Sequence, residues 1–464
     1  MFRVGYGFAD ITPSAHDNFT LSGFIARRNR ALRGIDDPLM VYALVIETLQ
    51  QKLALLVYDL LALGDESVQL IDKELNDFGI PGDNRIYHCT HTHSAPATIT
   101  LHGSGIVDRR YLEHVTQQSR KALNAALNNM QEVIIRHSVV YIPGCNVNRR
   151  ILRRDGRVVM TASENEVAAR GPDYNDFNLF MFETTQGIPF AGIIHWACHP
   201  NTVWSLKVSA EFPGELRRRM SEKYGFPFIY LQGACGNINS LNTGQTREKM
   251  IQNVDKIMQG MPEVISWGDP FYETSFRYKR YFHNLCYEMI PSIDELKVTC
   301  EKMKQVEREG LEADPASLAE VATVLGIPNG KILESKYRYV AHVISQWADT
   351  LLEQKKIPEK TDICVSLLDF GSIFLCFIAG EVFIETQLRL QNMIIDKKVI
   401  IAGYCSPLKG YIPTDEALEI GGYESAYAYR FYGHPAPFAK GTEGSLIKSI
   451  IKESSEERLK TVTG

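Results

Sequence analysis

The chain has 464 residues, 45% of them hydrophobic and 23% charged, with a formal net charge of -5. Such a composition belongs to a globular protein able to bury a large core and excludes a disordered or collagen-like chain. The mild acidic balance gives nucleic acid no basic footprint to bind.

At the amino end, "MFRVGYGFADITPS" holds one arginine and no apolar run of the secretory kind, which favours a cytoplasmic location. "LMVYALVIET" and "KLALLVYDLLAL" read as two apolar strands around a polar turn. The helical pattern "DESVQLIDKELNDFG" follows, with Val68, Leu70, Ile71 and Leu75 near one face. "NRIYHCTHTH" is the next strand, expected to end at its histidines. Further strands are expected at "EVIIRHSVVYI", "FNLFMFET", "PFAGIIHWAC", "FPFIYLQG", "CVSLLDFGSIFLCFIAG" and "KVIIAGYC". Helices are expected at "RRYLEHVTQQSRKALNAALNNM" and "EVFIETQLRLQNMI". Strands interleaved with helices predict an α/β class, with helices layered on a large mixed sheet.

From about residue 243 to 360 the chain becomes richer in charge and in helical pattern, which predicts a mainly helical insertion or flank within one catalytic unit spanning 1–464. The apolar stretches at 53–63 and 373–380 fall short of the roughly 18 to 20 residues a membrane helix needs, so no transmembrane segment is expected. Nine cysteines with no CxxC pair fit reduced, buried thiols better than a disulfide framework or a zinc ribbon. Any metal is therefore expected on histidine and carboxylate.

Three clusters carry candidate chemistry. "HCTHTHSAPAT" sets His91 and His93 two positions apart, which on an extended segment points both to one face. Open α/β sheets place ligands beyond the carboxyl ends of their strands, where this pair falls. "IIHWACHPNTV" adds His195 and His199 after another apolar strand, and "FIAGEVFIETQ" delivers Glu381 from a buried run. Singly, each reads equally as packed histidines or as a carboxylate at a helix start. Together they suit Zn²⁺, which takes nitrogen and oxygen ligands at about 2 Å.

The motifs "ADITP", "THTHSAP", "NVNRR", "HWACHPNTV", "LQGACGNINS", "AGEVF", "KGYIPTDEALEIGGYES" and "APFAKGTE" occur in this order from about residue 9 to 443. This array resembles the catalytic domain of the neutral/alkaline ceramidases. The resemblance implies a zinc held by His91, His199, Glu381 and Tyr411. It implies substrate-handling roles for His93 and Arg149, with Arg150 a rival, and for Tyr423, twelve positions after Tyr411. His195 has no family role and is expected to be a core residue or to orient His199 through a hydrogen bond.

The implied reaction is hydrolysis of a linear amide, in ceramide or another N-acyl substrate. An amide needs both an activated water and a proton for its leaving nitrogen, which zinc with an open position and a neighbouring histidine supply. Two departures separate the chain from the family pattern. Asn237 and Asn239 stand where the family loop has an aspartate and a serine, so a serine nucleophile has no support there. The sequence ends in a charged helical pattern, so a C-terminal immunoglobulin-like domain is not expected. The alternatives are a metal-containing binding protein without turnover and a metallo-esterase or amidohydrolase acting on a small soluble substrate. Metallo-β-lactamase-like enzymes continue HxHxDH, whereas Ser94, Ala95 and Pro96 follow here.

Overall fold

The computed structural model describes residues 2–160, 162–241, 245–271, 275–324 and 334–462, with backbone only for 455–462. Eight strands form the large sheet in the order Phe228–Gln232, Pro189–Trp196, Asp176–Thr184, Met130–Tyr141, Phe2–Asp10, Met40–Glu47, Lys52–Tyr58 and Arg85–Cys89. Its two edge pairs, Lys52–Tyr58 with Arg85–Cys89 and Pro189–Trp196 with Phe228–Gln232, run parallel, while the interior pairs are antiparallel. A second sheet of four strands comprises Arg277–Cys286, Lys360–Asp369, Ile373–Ile378 and Lys398–Ala402.

Period-two alternation divides the strand side chains between two cores. One face of the large sheet, including Leu44, Leu55, Phe180 and Ile193, packs on Leu368, Leu375 and Phe377 of the small sheet. On the opposite face Val41, Ala43, Leu56 and Tyr58 meet the helices Asp65–Glu74 and Arg109–Asn128. Farther along that face, Trp196 and Tyr230 pack on Phe212 of the helix Glu211–Tyr224. The small sheet turns its other face to Leu390 and Leu446, on the helices Ile384–Met393 and Thr442–Val462. The result is helices, large sheet, small sheet, helices: the expected α/β class with a large mixed sheet.

Between 243 and 360, the described residues hold the helices Arg247–Gly260, Ile293–Glu309, Pro315–Val324 and Glu334–Leu352. They also hold the strand Arg277–Cys286, which belongs to the small sheet. The three later helices build a separate apolar cluster around Met303, Val321, Ile344 and Trp347. That cluster leans on Ile25, Tyr427, Tyr429 and Phe431, so it walls the region described next.

Both edges of the large sheet come together. Gln232, the last residue of one edge strand, donates from Nε2 to the carbonyls of Thr90 (3.1 Å) and Cys198 (2.8 Å). Its backbone N–H donates to Nε2 of His88 on the opposite edge strand at 3.2 Å. Below them Asp59 and Arg217 form a buried two-pronged ion pair at 2.7 and 2.6 Å, and Asp59 also accepts from Thr90 and from the Met40 N–H. Removing one member of such a pair strands the other charge in the core, at a typical cost of about 3–5 kcal/mol. Asp59→Ala is expected to lower the unfolding free energy by that amount in urea titration, whereas an unchanged midpoint would show that the pair holds nothing.

Candidate metal centre

The strand Arg85–Cys89 stops short of the histidines, and His91 has a φ of 67°. The pair is therefore not on an extended segment, and the expectation that strand alternation aligns it is corrected. A tethered turn performs the alignment instead. The His91 N–H bonds Leu60 O at 3.0 Å, and the His93 N–H bonds Oε1 of the buried Glu211 at 2.9 Å. Glu211 also accepts from the Thr202 and Val203 N–H groups and from the hydroxyls of Thr92 and Thr202. One carboxylate thus clamps the "THTH" loop to the loop after His199. Burial pushes its pKa up to about 7, against the donors that favour the charged form.

The geometry of His91 and His199 fixes their tautomers. Nδ1 of His91 lies 2.8 Å from Leu61 O and Nδ1 of His199 lies 3.2 Å from Cys235 O. A carbonyl only accepts, so each Nδ1 carries a proton and each ring turns its Nε2 towards the other. Those two nitrogens stand 3.1 Å apart, and Oε2 of Glu381 lies 3.4 Å from one and 3.9 Å from the other. Burial, together with the positive charge of Arg149, holds His199 well below the usual histidine range, so the ring stays neutral. Three electron-rich acceptors crowd one buried point, an arrangement that a cation between them would satisfy.

Glu381 Oε2 and both ring nitrogens of His93 are buried without a hydrogen-bond partner. Among the described residues, His91, His93 and His199 form the one group of histidine, cysteine or acidic side chains close enough to hold a metal, with ligand atoms within 4.8 Å of one another. Nitrogen and oxygen donors in this number fit Zn²⁺. Glu381 lies three residues before its helix, in a two-residue strand whose parallel register sets it beside Tyr411. Helix Ile384–Met393 starts later than expected because Asn237 Oδ1 accepts the Ile384 N–H at 3.0 Å.

Arg149 is buried along the same wall. Its Nη2 donates to the Tyr411 hydroxyl at 3.0 Å, Nη1 to Asn239 at 3.3 Å, and Nε to Glu424 at 2.7 Å. Arg150 turns away, giving its two donors to Glu424 and Gly421 O. Tyr423 packs its ring 5.9 Å from that of Tyr411, on the side where the helical cluster closes the wall. The His93 ring packs at a tilt 4.9 Å from that of Phe24, and a Cβ on Gly23 would come within 2.6 Å of it, so glycine is required there. Burial, with His91, Arg27 and Arg149 nearby, holds His93 well below the usual histidine range.

His195 lies elsewhere. Its Nδ1 meets Asn178 and its Nε2 meets Ile401 O at 2.8 Å, while Cys235 O orients His199. His195 is thus the core residue of the two expectations, and orientation of His199 by it is corrected: the chain leaves the strand at Trp196, so the spacing of four no longer aligns the rings. Sequence reading missed Tyr432, whose hydroxyl donates to Glu381 Oε1, together with Glu424 and Glu211. Glu424 directly follows Tyr423, the single local signal available for any of the three.

Comparison of the sequence with family models finds no match, and no curated protein matches it. Among solved structures, neutral ceramidase from Pseudomonas aeruginosa superposes with a TM-score of 0.65, over 97% of this chain and 73% of that one, at 16% identity. A ceramidase complexed with C2 gives 0.64, over 96% and 74%, at 15% identity. The chain has the neutral ceramidase fold. On that fold the asparagines of "QGACGNINS" are structural: Asn237 bonds Glu385 and starts the helix Ile384–Met393, and Asn239 accepts from Arg149 and Asn201.

Two outcomes are expected. Metal analysis after purification in zinc gives about one ion per chain for the wild type and for His93→Ala, and little for His91→Ala and His199→Ala. Equal zinc in all four proteins would place the ion elsewhere. Tyr432→Phe removes the donor to Glu381 and is expected to weaken zinc binding about 10- to 100-fold in a competition titration, the usual effect of losing such a partner.

Proposed function

We propose that the chain is a zinc-dependent hydrolase of a linear amide bond, acting on ceramide or another N-acyl substrate by water attack. The observation that carries this reading is the pair of Nε2 atoms on His91 and His199, 3.1 Å apart and facing Glu381, on the neutral ceramidase fold. His91, His199, Glu381 and Tyr411 would hold the ion. When bound, zinc supplies Lewis acidity, polarising a carbonyl and acidifying water towards a pKa of about 7.

The chain's own residues perform the remaining work. His93 is neutral, close to the ligand histidines and free at both ring nitrogens, so it accepts the proton of the attacking water and returns it to the leaving nitrogen. Arg149 is held in place by Glu424 and Asn239, and this fixed orientation suits it to stabilise the oxyanion as the carbonyl becomes tetrahedral. Tyr423 lines the same wall with its phenol kept protonated by burial, a second donor for that charge.

A panel of N-acyl amides and their ester counterparts, assayed before and after chelation, tests the reading. Amide cleavage that disappears with the metal and returns with zinc is the expected result. Zinc binding without turnover of any amide would favour a binding protein, and turnover indifferent to chelation would remove the metal from the reaction. Arg149→Ala is expected to lower kcat by about 10² to 10³, as loss of one oxyanion donor does. A matching fall in His93→Ala with zinc retained would separate proton transfer from metal binding.

A further inference from the structure

An open pocket of about 590 Å³ is lined by Ala26, Arg28, Arg30, Trp204, Gln245 and Lys336. Three of these six side chains are cationic, on a chain whose net charge is -5. Among the described residues, no carboxylate forms an ion pair with Arg28, Arg30 or Lys336. Arg28 donates to the Ser335 hydroxyl at 2.8 Å and Arg30 to Arg27 O at 3.0 Å, leaving guanidinium donors of both free for a ligand. Arg109, Arg110, Arg120, Arg157 and Arg218 each pair with a carboxylate, whereas Arg28, Arg30 and Lys336 bring three cations without such a partner to the lining of one cavity.

The pocket is tied to the reacting residues by short lengths of chain. Phe24, two residues before Ala26, packs its ring 4.9 Å from that of His93. Buried Arg27 donates to Ser22 O, His93 O and Ser205 O, fixing this segment to the "THTH" loop on one side and to the loop carrying Trp204 on the other. The Trp204 N–H bonds Gln245 O at 2.8 Å, which sets the far rim. Trp204 is 45% exposed, an apolar surface next to the cations.

We propose that this pocket receives an anionic head group, so that the substrates are N-acyl amides bearing a carboxylate or a phosphate rather than neutral ceramides. The inference rests on the amide-hydrolase reading and narrows its substrate class. Arginine presents planar, two-pronged donors that match either oxyanion, lysine adds a point charge, and the indole covers the methylene groups beside the anion. A neutral head group would leave the three cations to water and gain nothing from them.

The test compares three ligands with one acyl chain: N-octanoylglycine, N-octanoyl-O-phosphoethanolamine and neutral N-octanoylethanolamine. Binding is measured by calorimetry on the intact, chelator-treated chain in about 0.1 M salt, where charges remain coupled over about 10 Å. Either anionic ligand binding at least about tenfold tighter than the neutral one, with the advantage shrinking in Arg30→Gln and Lys336→Gln and at higher salt, is the expected result. The tighter of the two identifies the oxyanion. Equal affinity of all three, or an advantage untouched by both substitutions, overturns the anion site. Both positions are exposed, so folding is not at stake in these variants. Turnover is then followed on the zinc-loaded chain: cleavage of all three at equal kcat/KM overturns the inference while the hydrolase reading stands. Anion-selective binding with no cleavage overturns the hydrolase reading while the anion site stands.

Discussion

The two edges of the large sheet meet through two buried side chains, Gln232 and His88. Gln232 closes the hydrogen bonding of both strand ends, taking the Thr90 and Cys198 carbonyls as acceptors while its Oε1 receives the Cys198 N–H. Leaving such groups unmatched in a core costs several kcal/mol. Because Thr90 precedes His91 and Cys198 precedes His199, satisfying those backbone groups also sets the distance between the rings. Glu211 repeats the logic one turn farther out, and Asp59 with Arg217 supports it from beneath. The site is thus a by-product of hydrogen-bond closure at a seam between sheet edges.

The electrostatics of that seam are uneven. His88 and His195 are buried and His137 is half-buried; all three are held below the usual histidine range, by desolvation first of all, and each has at least one hydrogen-bond partner. They behave as neutral packing elements, although Nδ1 of His88 has no partner. His91, His199 and Glu381 differ because their acceptors face one another rather than donors. Neither burial nor a lone unmatched nitrogen therefore marks the candidate site; convergence of several acceptors on one point does.

Much of this was legible in the sequence. Apolar period-two runs located the strands, and the glutamate beyond "IFLCFIAG" stood at the end of a core strand, as expected. The resemblance paired Tyr411 with Tyr423, and their rings pack together. Local spacing failed where the backbone left its regular element: at His91, which takes a positive φ, and at His195 and His199, which straddle a strand end. Glu211, Tyr432 and Glu424 act across large sequence separations, 118 residues in the case of Glu211 and His93. No short-range pattern encodes such contacts, so only the folded chain reveals them.

The helices Ile293–Glu309, Pro315–Val324 and Glu334–Leu352 have an apolar cluster of their own and touch the site through the 423–434 wall, whereas His91 and His199 stand just beyond strands of the large sheet and Glu381 just beyond a strand of the small one. The wall and the candidate ligands are therefore anchored in different cores. One side of the cleft can be repacked from within the helical cluster while the three converging acceptors keep their own supports.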